Sequence, residues 1–76
     1  MMYAVNVGHY ESVGLSKKDS TLIERTFGLK TYLFSDSGKY TIRVGTVSDQ
    51  LKAEGIVSHL KRLGLDAYYV QPKEVS

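Results

Sequence analysis

Hydrophobic and polar residues alternate along the first segment of the chain, and the alternation predicts a β-strand from Tyr3 to Tyr10. Successive side chains of a strand point to opposite faces, so Val5 and Val7 are assigned to a buried face. His9 falls at the end of that face, where we interpret it as an edge-of-core residue. The opposite face receives Ala4, Asn6, Gly8 and Tyr10.

A weaker, helical pattern follows the first strand. The chain from Glu11 to Leu15 is predicted to be a loop, and Ser16 is suited to cap a helix. Gly28 ends this helix, and the chain from Leu29 to Ser35 is predicted to return as a strand. The apolar stripe of the helix is short and consists of Leu22, Ile23, Thr26 and Phe27.

The second half of the chain has a clearer pattern. Turn-forming residues from Asp36 to Gly38 predict a β-hairpin that extends from Leu29 to Val47. Ser48 is the predicted N-cap of a second helix, with Asp49 in its first turn and Gly64 as its C-terminal cap. The apolar residues of this helix follow helical spacing and are Ala53, Ile56, Val57, Leu60 and Leu63.

The last predicted strand extends from Leu65 to Val70. Pro72 is expected to end its pairing, and the tail from Lys73 is expected to fray. Gly8 and Gly45 are isolated glycines near predicted strand ends, and they are interpreted as marking bulges or turns.

Two parts of the chain repeat each other. The segment Tyr3–Tyr10 is echoed by Tyr40–Val47, and Phe27–Phe34 is echoed by Leu63–Val70. A unit of this size cannot cover its own apolar face, so the two halves are predicted to share one core. The element order predicts an α+β, ferredoxin-like βαββαβ fold. In this fold two helices cover one face of a four-stranded antiparallel sheet and leave the other face open.

Length and composition narrow the functional classes. The 76 residues predict one domain, residues 1–76, with its core in residues 3–71. The chain has no cysteine, so disulfides and thiolate metal sites are excluded. Its net charge of +2 is spread along the sequence, without a block typical of nucleic-acid arms. No apolar run approaches the roughly 20 residues of a transmembrane helix, and the sequence shows no secretion-signal pattern.

The predicted open face carries aromatic side chains. If the residue after each helix-ending glycine points inward, Tyr32, Phe34 and Tyr68 point outward beside Asn6 and Arg43. The alternative, with Tyr69 outward in place of Tyr68, stays open. Clustered exposed aromatics on a rigid sheet favour a ligand-binding surface, although strand propensity or self-association would also place tyrosines there.

The chain resembles the SPOR (sporulation-related repeat) domain. The resemblance extends from Tyr3 to Gln71. It rests on the pattern Tyr-x-Val-x-Val-Gly-x-aromatic at Tyr3–Tyr10 and its copy at Tyr40–Val47. It also rests on a helix ending in Leu-x-x-x-Gly and on x-Ala-x-x-Val at Asp66–Val70. It implies a non-catalytic module that binds bacterial peptidoglycan glycan strands denuded of their stem peptides. It also implies a location in the cell envelope and an association with division proteins or cell-wall amidases.

The resemblance implies a ligand site on the sheet. Asn6 occupies the position where the family frequently has glutamine, and Arg43 takes the polar position of the third strand. The candidate ligand-binding residues are Asn6, Gly8, Tyr32, Phe34, Arg43 and Tyr68. Neither a cofactor nor a metal is implied.

Other functions have less support. His9 and His59 are the only histidines, and neither has a carboxylate placed for acid–base catalysis or metal binding. An RNA-recognition-like module shares the topology, but it would need an aromatic-rich third strand and a more basic surface. A protein-binding or homodimerising module that uses the sheet face or an edge strand is the third interpretation.

Overall fold

The structure, a computed structural model, describes residues 2–71. Its elements in chain order are β1 (Tyr3–Tyr10), α1 (Val13–Phe27), β2 (Tyr32–Asp36), β3 (Lys39–Val47), α2 (Gln50–Arg62) and β4 (Ala67–Val70). All paired strands are antiparallel, in the order β2-β3-β1-β4, and both helices pack against one face of the sheet. The predicted α+β, ferredoxin-like fold is confirmed. The duplication of the two halves stays a prediction, and the expectations for Pro72 and Lys73 lie outside the described residues.

The core lies between the central strands and the helices. Its members are Val5, Val7, Ile42, Val44 and Val47 of the sheet, Ile23 of α1, Ala53, Ile56, Val57 and Leu60 of α2, and Ala67 of β4. The predicted stripe of α2 is confirmed except for Leu63, which is exposed beyond the last helical turn. In α1, the prediction is wrong for Leu22 and Thr26, which are exposed, because the buried face follows Ser16, Ile23 and Phe27 instead.

Both helices begin at a residue other than the predicted cap. The N-cap of α1 is Ser12, whose Oγ accepts a hydrogen bond from the Leu15 amide at 3.3 Å. Ser16 is buried within the first turns, and its hydroxyl donates to the Val13 carbonyl at 2.7 Å. The N-cap of α2 is Asp49 rather than Ser48, since its carboxylate accepts from the Leu51 amide at 2.9 Å. Serine and aspartate are equally good caps, so adjacent candidates are not separated by propensity.

The end of α2 is as predicted. Gly64 adopts φ +86°, a left-handed conformation that glycine reaches without steric cost. Its amide donates to the Lys61 carbonyl, and the Leu65 amide donates to the Leu60 carbonyl, each at 3.0 Å. These two bonds form a Schellman motif, which satisfies carbonyls that the helix end leaves open.

Two strands begin later than the sequence pattern predicts, β2 at Tyr32 rather than Leu29 and β4 at Ala67 rather than Leu65. Before β2, the amide and hydroxyl of Thr31 both donate to Glu24 Oε2, at 3.0 and 2.8 Å. These bonds tie the segment to α1 instead of to the sheet. They also lower the pKa of Glu24 below its ordinary value, because they stabilise the ionised carboxylate.

Two irregularities in the pairing of β1 with β3 decide which residues share a face. Between the pairs Ala4–Thr46 and Asn6–Arg43, β3 holds one extra residue, and Gly45 takes φ +59° there. Between the pairs Val7–Ile42 and Tyr10–Tyr40, β1 holds the extra residue. Of the two alternatives for Gly8 and Gly45, the structure therefore shows bulges in the strand pairing.

The bulge in β1 overturns two assignments, because one extra residue reverses the alternation beyond it. Tyr10 was expected on the open face, but its hydroxyl donates to Asp19 of α1 at 2.6 Å on the helix side. Burial and this carboxylate raise the pKa of Tyr10 well above its ordinary value. His9 was expected on the helix-facing side, but its ring stacks on Tyr68 with centroids 6.4 Å apart.

Candidate functional site

Strand register places the predicted site residues on one face of the sheet. Asn6 of β1 lies opposite Arg43 of β3 on one side and Tyr68 of β4 on the other. Arg43 in turn lies opposite Tyr32 of β2, and Phe34 is the next β2 residue on that face, opposite Thr41. Residues directly opposite each other in antiparallel strands share a face. Asn6, Tyr32, Phe34, Arg43 and Tyr68 therefore lie together on the side of the sheet away from the helices.

The choice between the two tyrosines of β4 is resolved by their partners. Tyr69 pairs with Val5, packs against the core and contacts the Tyr3 ring edge-on, with centroids 6.4 Å apart. Tyr68 pairs with Asn6 and is 38% exposed on the opposite face. Tyr68 is thus the outward aromatic residue, as predicted from the position of Gly64.

Side-chain size and exposure vary across the open face. The two central strands contribute several residues that are almost fully buried, together with the half-buried Arg43 and the exposed His9, and the two edge strands contribute large exposed rings. Tyr32 is 57% exposed and Phe34 is 37% exposed on β2, while His9 and Tyr68 stack on the β4 side. We call this surface the open-face groove; its floor consists of Ala4, Asn6, Gly8, Thr41 and the half-buried Arg43. Three strand spacings separate its walls, about 14 Å in total.

Arg43 is the cationic centre of the groove. Its Nε donates to Asn6 Oδ1 at 3.1 Å, and its guanidinium carbon lies 5.2 Å from the centroid of the Phe34 ring. The hydrogen bond and the cation–π contact orient the guanidinium plane. Because Nε–H is used inside the protein, the donors that a ligand can reach are those of the two Nη groups.

Gly8 and Thr41 fit closely together in the floor. A Cβ atom on Gly8 would lie 3.1 Å from Thr41 Oγ1, so the floor is flat at this point only because residue 8 is glycine. Thr41 is 1% exposed, and its Oγ1 is buried without a hydrogen-bond partner among residues 2–71. Gly8 therefore shapes the groove and offers a ligand no side chain.

Three groove residues, Ala4, Thr41 and His9, were not among the candidates drawn from the sequence, although Ala4 was assigned to the open face. Thr41 was assigned to the open face, but nothing in the sequence marks its hydroxyl as unpartnered. His9 was missed because simple alternation places it on the other face. Gly8 was the signal that could have placed His9 on the open face, since a glycine inside a strand often marks a bulge, and a bulge reverses the alternation beyond it.

Metal-ligating side chains do not cluster in this region. Across the described part of the chain, no group of three or more His, Asp or Glu residues is placed to hold a metal ion. Over the same residues, neither helix is long and apolar enough to cross a membrane.

Comparison with known proteins identifies a structural relative. No protein-family model matches the chain, and no curated protein matches its sequence. Among solved structures, the chain is similar to the solution structure of the peptidoglycan binding domain of the B. subtilis cell wall lytic enzyme CwlC, with a TM-score of 0.72 and 20% sequence identity. The match covers 91% of this chain and 86% of the other. At this identity, the likeness shows a shared fold.

Proposed function

We propose that this chain is a SPOR-type, non-catalytic module that binds the glycan strands of bacterial peptidoglycan in the open-face groove. The residues that we propose form the binding site are Asn6, Gly8, Tyr32, Phe34, Arg43 and Tyr68, together with His9, which stacks on Tyr68. The preferred ligand is glycan from which the stem peptides have been removed. The proposed setting is the bacterial cell envelope, with a cell-wall amidase or division protein in the same chain or complex.

The observation that carries this proposal is the chemistry of the groove. A sugar ring presents an apolar face of C–H bonds and a rim of hydroxyl groups. The exposed rings of Tyr32, Phe34 and Tyr68 offer flat apolar surfaces for the first, and the Arg43 guanidinium offers hydrogen-bond donors for the second. The large aromatic residues lie on the two edge strands, so successive sugars can contact both walls of the groove.

The structural relative supports the same ligand class. The solved structure that shares this fold over most of both chains is described as a peptidoglycan binding domain. Proteins with the βαββαβ topology have unrelated functions. The shared fold therefore adds support for peptidoglycan binding, and the main support comes from the groove residues.

Affinity for a single site is expected to be modest. An open, shallow groove buries little ligand surface, and part of the gain is spent on immobilising side chains and sugars. Peptidoglycan repeats its disaccharide along each strand, so neighbouring modules on one sacculus would raise the effective affinity.

Co-sedimentation with purified sacculi tests the proposal. The chain should pellet with sacculi, and more should pellet after an amidase has removed the stem peptides. Tyr32→Ala and Tyr68→Ala should each reduce the pelleted fraction. Leu51→Ala is the matched control, because Leu51 is a highly exposed apolar residue on α2, on the helix side of the sheet. Equal pelleting by all four proteins, or none with amidase-treated sacculi, would contradict the proposal.

A second function is favoured by one of the same features. Aromatic residues exposed on a sheet also stack nucleic-acid bases, as in single-strand-binding modules. That function predicts binding to single-stranded RNA that weakens steeply with salt, because phosphate contacts release counterions. A concentration-dependent dimer in light scattering would instead favour a self-association surface.

A further inference from the structure

The contacts of Arg43 in the open-face groove indicate which chemical group of a ligand it binds. We infer that Asn6 and Phe34 hold its guanidinium as a receptor for a free carboxylate of the ligand, namely the lactyl carboxylate of a muramic acid residue that has lost its peptide. This inference rests on the proposed function and assigns a separate role to each of the three side chains.

Asn6 is a positioning residue in this arrangement. It is only 4% exposed, and its Oδ1 accepts the Nε–H of Arg43 at 3.1 Å. Since its carbonyl oxygen is occupied and the side chain lies beneath its neighbours, Asn6 acts on the ligand through Arg43. This role differs from the direct contact that the sequence resemblance implies for this position.

Phe34 fixes the other side of the guanidinium. The ring centroid lies 5.2 Å from Arg43 Cζ, and the ring is itself partly buried against the sheet. Together with the Asn6 bond, this contact restricts the side chain before a ligand arrives. A pre-oriented guanidinium loses little further entropy on binding, and its planar fork matches a carboxylate.

The charge of this centre is available to a ligand. Among the side chains that the structure describes, Lys39 forms an ion pair with Glu11 at 3.4 Å, and no carboxylate forms an ion pair with Arg43. A half-buried cation in a groove lined by aromatic rings is more weakly screened than a fully exposed one. An anionic group at this point would therefore bind more tightly than a neutral group of the same shape.

Peptidoglycan offers such an anion in one chemical state. In a strand that bears peptides, the lactyl carboxyl group of muramic acid is an amide and carries no charge. Hydrolysis of that amide leaves a carboxylate on the sugar. A carboxylate receptor at Arg43 would thus select denuded strands by charge, in addition to any steric effect of the peptide.

The test compares two soluble ligands that differ at this group alone. One is amidase-digested glycan, and the other is the same glycan after its carboxylates have been coupled to methylamine. Titration calorimetry should show about tenfold tighter binding of the charged form by the unaltered chain, which corresponds to about 1.4 kcal/mol. Arg43→Gln should bind both forms alike, and Arg43→Lys should keep part of the preference as a point charge.

Variants of Asn6 test its positioning role. Asn6→Asp places a carboxylate against the guanidinium, so the preference for the charged glycan should disappear while the neutral glycan still binds. Asn6→Ala leaves the charge but frees the side chain, so the preference should fall without vanishing. Arg25→Gln is the control, since it removes the same charge from an exposed position on α1. Circular dichroism of each variant checks that the fold is retained.

The outcomes separate this inference from the proposed function. Binding of both glycans with equal affinity by the unaltered chain would overturn the carboxylate receptor and leave the glycan-binding function in place. An undiminished preference in Asn6→Asp would overturn the role of Asn6. Binding of neither glycan would contradict the proposed function itself.

Discussion

Replacement of Thr41 by valine should stabilise the protein. Thr41 Oγ1 is buried without a hydrogen-bond partner among residues 2–71, and an unsatisfied buried polar group costs about 1–3 kcal/mol. Valine keeps the branched shape and substitutes a methyl group for the hydroxyl. Because residue 8 has no Cβ, no side chain at that position opposes the added methyl group; a Cβ there would lie only 3.1 Å from Oγ1. At the lower end of this range, the free energy of unfolding should rise by about 1 kcal/mol.

A rise of about 1 kcal/mol corresponds to a melting temperature higher by roughly 4–8 °C in a domain of this size. Differential scanning calorimetry of Thr41→Val and the unaltered chain measures it directly. Thr46→Val is the matched control on the same strand, because the hydroxyl of Thr46 is exposed and loses nothing by remaining in water. The control should change the free energy of unfolding by less than about 0.5 kcal/mol. A melting temperature for Thr41→Val that is equal to or below that of the unaltered chain would refute the reasoning.

Three further predictions concern the scaffold beneath the groove. Ile23→Ala should lower the free energy of unfolding by about 2–5 kcal/mol in urea denaturation, because Ile23 is the fully buried apolar residue of α1. Leu22→Ala should lower it far less in the same assay, because Leu22 is exposed. Gly64→Ala should lower the free energy of unfolding by about 1–2 kcal/mol in the same assay, because it forces an L-residue into φ +86°. An unchanged denaturation midpoint would contradict the Schellman geometry at the end of α2. Hydrogen bonds from Thr31 hold the pKa of Glu24 below its ordinary value of 4.5, so the carboxylate stabilises the fold above that value and the contribution is lost as the pH falls through the lowered pKa. Glu24→Gln should therefore melt below the unaltered chain at pH 7, and thermal melts should show the gap narrowing as the pH falls below 4.5.

The fold and the aromatic face could be predicted because their signals are local. The apolar stripe of α2 and the glycine that ends it are visible in the sequence, and both were found in place. The glycine also fixed the parity of β4, which correctly placed Tyr68 outward and Tyr69 inward. The alternation of Ile42 and Val44 with Arg43 assigned the third strand in the same way.

The errors arise where the outcome depends on tertiary contacts. Ser12 and Ser16 are equivalent as caps by residue type, but Ser16 is buried within α1, where its hydroxyl donates to the Val13 carbonyl, and Ser12 is the cap. The bulge after Val7 reverses the sides of His9 and Tyr10, and only the pairing with β3 reveals the extra residue. The bond from Arg43 to Asn6 depends on register between strands that are distant in sequence, so the two residues were named separately and their coupling was not foreseen.

The central claim is that the open-face groove binds peptidoglycan glycan. The most direct test is a nuclear magnetic resonance titration of the ¹⁵N-labelled chain with soluble, amidase-digested glycan. Our account predicts dose-dependent shifts that concentrate at Asn6, Tyr32, Arg43 and Tyr68, while the exposed surfaces of α1 and α2 remain unperturbed. Shifts confined to the helices, or no shifts at saturating glycan, would contradict it.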